Sequence, residues 1–101
     1  MSISPKAKLR VNKISVDMNP FVEEFLARIA VAMVTPLRGV ENVKSLEIHQ
    51  EKADVKITVN GDEISLTPFP NDIVRNTLTA LASSLRDVEA IDTIDVSVQA
   101  G

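Results

Sequence analysis

Apolar and polar residues change rhythm several times along the chain, and the rhythms recur in a fixed order. From residue 55 to 59, Val55, Ile57 and Val59 alternate with Lys56 and Thr58, the period of a half-buried strand. Asn60-Gly61 follows, a pair that accepts the two left-handed conformations of a type I′ hairpin turn. Ile64 and Leu66 then resume the apolar face on a return strand. A two-residue turn sets Val59 opposite Asp62, Ile57 opposite Ile64 and Val55 opposite Leu66, so turn geometry and apolar pattern demand the same register. The chain opens with the same figure: Leu9 and Val11, the turn Asn12-Lys13, then Ile14, Val16 and Met18. Lys13 where the second figure has glycine makes that turn the weaker one.

Each hairpin leads into a segment with helical spacing. Asn19-Pro20-Phe21 and Thr67-Pro68-Phe69 both place a capping side chain before a proline at the first helical position, where its missing N–H costs nothing. Helices are expected from about 20 to 35 and from about 68 to 86, the first stopped by Pro36. Strands at 44–50 and 92–99 follow them, with Leu46, Ile48, Ile94, Val96 and Val98 turned inward. The other face of the strands is polar, with Lys8, Arg10 and Lys56 among Glu47, Glu63 and Asp95, Asp17 at the end of a return strand and His49. One apolar and one polar face predict a sheet covered by helices on one side only.

The order strand, turn, strand, helix, strand therefore occurs twice, and the two copies align at a constant offset. Residues 8–50 lie over 56–98, 48 positions on, without a gap. Ten of those 43 pairs are identical: Lys8/Lys56, Val11/Val59, Asn12/Asn60, Pro20/Pro68, Phe21/Phe69, Ala32/Ala80, Leu37/Leu85, Arg38/Arg86, Val40/Val88 and Glu41/Glu89. Such self-similarity predicts a duplicated unit. The expected fold is an α+β, two-layer open-faced sandwich made by duplication of a ββαβ unit, with about six mostly antiparallel strands and two helices on one face. A chain of 101 residues supports one core, so residues 1–101 are read as a single pseudo-symmetric domain, with repeats at about 6–52 and 54–100. Strand order stays open between a continuous sheet and a ferredoxin-like variant.

Composition narrows the function classes. A net charge of −3 with no Lys or Arg run, together with only three Phe and no Trp or Tyr, argues against nucleic acid as the main partner. No cysteine is present, which removes disulfides, thiolate metal sites and cysteine nucleophiles. The opening Met1-Ser2-Ile3-Ser4-Pro5 lacks the basic and apolar regions of a signal peptide, and the apolar stretch from Phe25 to Val34 is too short to span a bilayer. A cytoplasmic protein without a membrane span is expected.

Candidate chemistry is sparse. His49, the only histidine, is expected on the polar face beside Glu47 and Glu51, where one imidazole with mobile carboxylates makes a poor metal site. Arg38 with Glu41, and Arg86 with Glu89, recur after each helix and are read as helix C-terminal pairs. Phe21 and Phe69 are read as core closure at the helix starts, and Asn12 and Asn60 as turn residues. Glu23, Glu24 and Asp72 suit the positive ends of the helix dipoles, and Asp92 and Asp95, three apart in a strand, point to opposite faces. No catalytic motif, cofactor fingerprint or metal-ligand spacing occurs, so neither an enzyme nor a cofactor is expected.

Differences between the copies point to a role. With Phe25 and Ile29 taken as the sheet-facing stripe, the opposite face of the first helix carries Ala27, Ala30, Val31 and Val34, against Arg75, Leu78, Thr79 and Ala82 in the second. A helix apolar on both faces should have both covered. These four residues are the expected interface of an assembly module that docks with itself, as a dimer or larger, or with a larger protein subunit. The other reading is a small-ligand-binding regulatory domain with its site at the pseudo-symmetric seam.

Overall fold

The computed structural model describes residues 6–37, 42–52, 54–64, 66, 68–85 and 91–99. They form β1 (Lys6–Val11), β2 (Ile14–Ser15), α1 (Pro20–Val34), β3 (Ser45–Glu51), β4 (Asp54–Val59), β5 (Asp62–Ile64), α2 (Pro68–Leu85) and β6 (Thr93–Gln99). Local signals act as the sequence implies. Asn12 and Lys13, like Asn60 and Gly61, all have positive φ, and the registers Val11 to Ile14 and Val59 to Asp62 follow from these two-residue turns. The Asn19 side chain accepts a hydrogen bond from the Val22 N–H at 2.8 Å ahead of Pro20, and α1 ends at Val34, just before Pro36.

All six strands join one open sheet in the order β2-β1-β6-β3-β4-β5, and every neighbouring pair is antiparallel. The fold is thus α+β, with a continuous six-stranded sheet and two helices. β6 lies between β1 and β3, while β3 lies between β6 and β4, so each half of the chain supplies a strand to the middle of the other. β1 and β4, like β3 and β6, begin and end 48 positions apart. Exchanging equivalent strands returns the same order read backwards, which places an approximate two-fold axis between β3 and β6.

Register assembles the core in rows across the sheet. Leu9, Val96, Ile48, Ile57 and Ile64 form the middle row. Ala7, Val98, Leu46 and Val59 flank it on one side, and Val11, Ile94, Gln50 and Val55 on the other. Apart from the partly buried Ile64, all are buried on the face that meets the helices, and each full apolar burial contributes about 1.5–3 kcal/mol.

The rotation of α1 differs from the sequence expectation. Leu26, Ala27, Ala30 and Val34 are buried, Val31 is partly buried, and Phe25 is 49% exposed. Ala27, Ala30 and Val34 therefore pack inside the chain and offer no free docking surface. Phe21 does not close the core either, being 72% exposed, and the side chain of Phe69 lies outside the described residues. A helix apolar on nearly every side carries little directional signal, and small alanines facing the sheet let its backbone approach closely. α2 held the missing cue, because its buried Val74, Leu78 and Ala82 are the equivalents of Leu26, Ala30 and Val34.

One pair of side chains stitches the halves together, and a second secures each half internally. Asn12 Oδ1 accepts from the N–H groups of Asp92 (2.7 Å) and Thr93 (3.1 Å), at the entry to β6. Asn60 Oδ1 does the same for Lys44 (2.8 Å) and Ser45 (3.0 Å) at the entry to β3. Glu23 Oε1 accepts from the Ala7 N–H, and its equivalent Asn71 Oδ1 from the Val55 N–H, so each helix start holds the first strand of its own half. A polar core position departs from the symmetry: Gln50, equivalent to Val98, is buried and donates through Nε2 to Thr79 Oγ1 at 3.0 Å. Gln50 Oε1 is buried without a partner among the described residues.

Asn12→Ala should lower stability by about 2–4 kcal/mol, because two N–H groups at the start of a central strand lose their acceptor; equilibrium urea denaturation reads it. Thr79→Val alone should cost about 1–3 kcal/mol by stranding the Gln50 amide. Adding Gln50→Val should recover that loss, since the equivalent positions already carry Val31 and Val98, and a double variant weaker than Thr79→Val would contradict the assignment.

Candidate functional site

The polar face of the sheet has its own cross-strand rows. Arg10 on β1, Asp95 on β6, His49 on β3 and Lys56 on β4 are aligned in register. The next row runs Lys8, Ser97, Glu47, Thr58 and Glu63. Together with Lys13 from the first turn, these side chains line a concavity of about 710 Å³ centred on β3 and β6. It lies over the approximate two-fold axis: Lys8 is equivalent to Lys56, Glu47 to Asp95 and His49 to Ser97.

At its centre the His49 Nδ1 meets the Asp95 Oδ1 in a hydrogen bond. An ionised carboxylate only accepts, so the proton sits on Nδ1 and leaves Nε2 as the second functional atom of the ring. Glu51 Oε2 stands 3.9 Å from Nε2, a longer contact to an exposed side chain. Among the described residues, Lys8, Arg10, Lys13 and Lys56 make no ion pair, because the described bridges are those of His49, Arg28 with Glu24, and Arg75 with Asp72.

An imidazole oriented by a carboxylate can exchange a proton, but a nucleophile is missing beside it. Among the described residues no hydroxyl hydrogen-bonds His49, and Ser97 sits opposite Glu47 in the adjacent row. No group of three or more His, Cys, Asp or Glu side chains among the described residues could hold a metal ion. The arrangement gathers charged side chains of both signs that can bind charged groups. Sequence reasoning placed His49, Glu47 and Glu51 on one face but missed Asp95 as the partner, since that pairing depends on β3 lying beside β6. The remaining candidates, Arg38, Glu41, Arg86 and Glu89, lie outside the described residues.

The helix side is chemically opposite. Phe21 and Phe25 stack with ring centroids 5.9 Å apart on the outer face of α1. At the other end of that helix, Ala32, Met33 and Leu37 with Ile73 and Val74 of α2 line an apolar groove of about 370 Å³, closed by Pro36 and Pro70. No helix among the described residues is long and apolar enough to cross a membrane.

Asp95→Asn should shift the neutral His49 ring from the Nδ1–H form toward a mixture of tautomers, because a neutral amide no longer demands a donor. Ring ¹⁵N chemical shifts report it, and an unaltered tautomer balance would mean that Asp95 does not orient the ring. Compared with known proteins, the chain matches no family model, no curated protein and no solved structure, so its function is read from this geometry alone.

Proposed function

We propose that the protein is an assembly module that pairs with a second copy of itself through the outer stripe of α1. The observation that carries this reading is the stacked, exposed pair Phe21 and Phe25, 72% and 49% accessible. Apolar exposure on that scale is the mark of an interaction surface. Phe21, Phe25, Ile29 and Met33 recur every four residues and wind about 120° around α1, from the exposed phenylalanines to Met33, which with Leu37 packs partly against the core. In an antiparallel pair of α1 helices crossing near Ile29, Phe25 of each copy approaches Met33 of the other. The surface is then self-complementary, as a two-fold dimer requires. Each phenylalanine fully buried contributes about 1.5–3 kcal/mol before association costs.

The 48-residue recurrence fits the same habit of pairing. Duplication and fusion of one ββαβ unit accounts for the equal element spacing and for the way each half lends a strand to the other. A chain without cysteine is at home in the reducing cytoplasm, where we place it.

Light scattering after size exclusion should give a dimer for the wild type and a monomer for Phe25→Glu, with far-UV circular dichroism unchanged because Phe25 is not a core residue. A wild-type monomer at high concentration, or a Phe25→Glu dimer, would overturn the reading. Co-elution with a larger subunit in place of self-association would assign the same stripe to another protein.

A further inference from the structure

The concavity on the open sheet face has a charge distribution that neither the fold nor self-assembly explains. In a chain of net charge −3, four cationic side chains converge on one hollow without an ion pair among the described residues. Lys8, Arg10 and Lys13 come from β1 and its turn, and Lys56 reaches in from β4. Strands lie about 4.8 Å apart, so Arg10 and Lys56 start about 14 Å from each other, on either side of His49 and Asp95. Side chains of their length can close on a single group above the imidazole. Against four cations the lining holds three carboxylates, Glu47, Glu63 and Asp95, so the hollow is net positive within a net acidic chain and favours an anion.

We infer that this hollow is a binding site for a small phosphorylated, hydroxyl-rich molecule of the sugar phosphate class. The phosphate sits between Arg10 and Lys56, where guanidinium and ammonium groups form charge-assisted bonds to its oxygens; the Asp95 carboxylate of the same row is engaged by His49, whose imidazole offers a further polar contact. Glu47 and Glu63 line the other side of the hollow. Their carboxylates accept hydrogen bonds from hydroxyl groups but repel a second anionic end, which favours a sugar body over a dicarboxylate. Among the described residues the lining holds no Phe, Tyr or Trp as a platform for a nucleobase, and about 710 Å³ lies within the range of metabolite sites. Charge complementarity thus selects the occupant. Arg10 and His49 are equivalent to Thr58 and Ser97, so the site is one-sided across the pseudo-two-fold and holds its ligand in one orientation.

The inference does not depend on the helix-side reading, because the sheet face lies opposite α1, and the monomeric Phe25→Glu variant serves as well as the wild type. Glucose 6-phosphate, inorganic phosphate, glucose and succinate are titrated into ¹⁵N-labelled protein. Glucose 6-phosphate is expected to shift amide signals of β1, β3 and β6 saturably, with a Kd of about 1 mM or tighter. Inorganic phosphate should bind the same residues more weakly, while glucose and succinate leave the spectrum unchanged. Arg10→Ala and Lys56→Ala should each weaken glucose 6-phosphate binding by about tenfold. Arg28→Ala, which removes the same charge on the helix side, should have no effect. No saturable shift, shifts confined to the helices, equal effects of Arg28→Ala and Arg10→Ala, or inorganic phosphate or succinate binding as tightly as glucose 6-phosphate would each overturn the assignment.

Discussion

Antiparallel pairing of β3 with β6 joins the three-stranded units β2-β1-β6 and β3-β4-β5 into one sheet, and most of the remaining structure presupposes it. Without that ladder β1 would have no route to β3, and β4 none to β6, since each of those pairs flanks a strand from the other half. The buried row from Leu9 to Ile64 passes through Val96 and Ile48 at this junction. Asn12 and Asn60 secure the same two strands where they enter the sheet. Neither half encloses a core by itself, so folding has to solve both together, and contacts of long sequence separation carry much of the ordering.

An approximate two-fold arrangement also shows where the chain departs from its own rule. Turns, helix starts and the middle row are alike in both halves because the shared backbone requires it. Departures include Gln50 against Val98, Thr79 against Val31, and His49 against Ser97. The first two form a single polar contact inside the core, so a change on β3 is answered by one on α2. The third lies on the open face, outside the packing constraint, and is tied to Asp95 across the junction. Symmetry here fixes the scaffold and leaves the centre of the exposed face free to differ.

Much of the local architecture was legible in the sequence because it rests on short-range chemistry. Asn60-Gly61 dictates its turn and register, and Asn19-Pro20 marks its helix start, whatever the rest of the chain does. Long-range choices were not legible. Nothing in the alternation of β3 says that β6 lies beside it, so the pairing of His49 with Asp95 was hidden. The rotation of α1 was hidden for a different reason: apolar residues occupy both of its faces, and Phe25 competes on equal terms with Leu26 for the core. Volume settles that contest, since Ala27 and Ala30 leave room for the sheet side chains beneath them. Comparison with the more amphipathic α2, position by position, resolves the ambiguity without coordinates.

The sheet ends on both sides in very short strands, two residues in β2 and three in β5. Little unpaired backbone is left there to template another chain. Copies of the protein are thereby steered away from edge-to-edge polymerisation, the open-ended route that leads to fibres. Contact through a broad face is finite by comparison, because a self-complementary surface is used up once two copies meet. Stunted edges thus act as a limit on assembly size, fixed by the backbone before any side chain takes part.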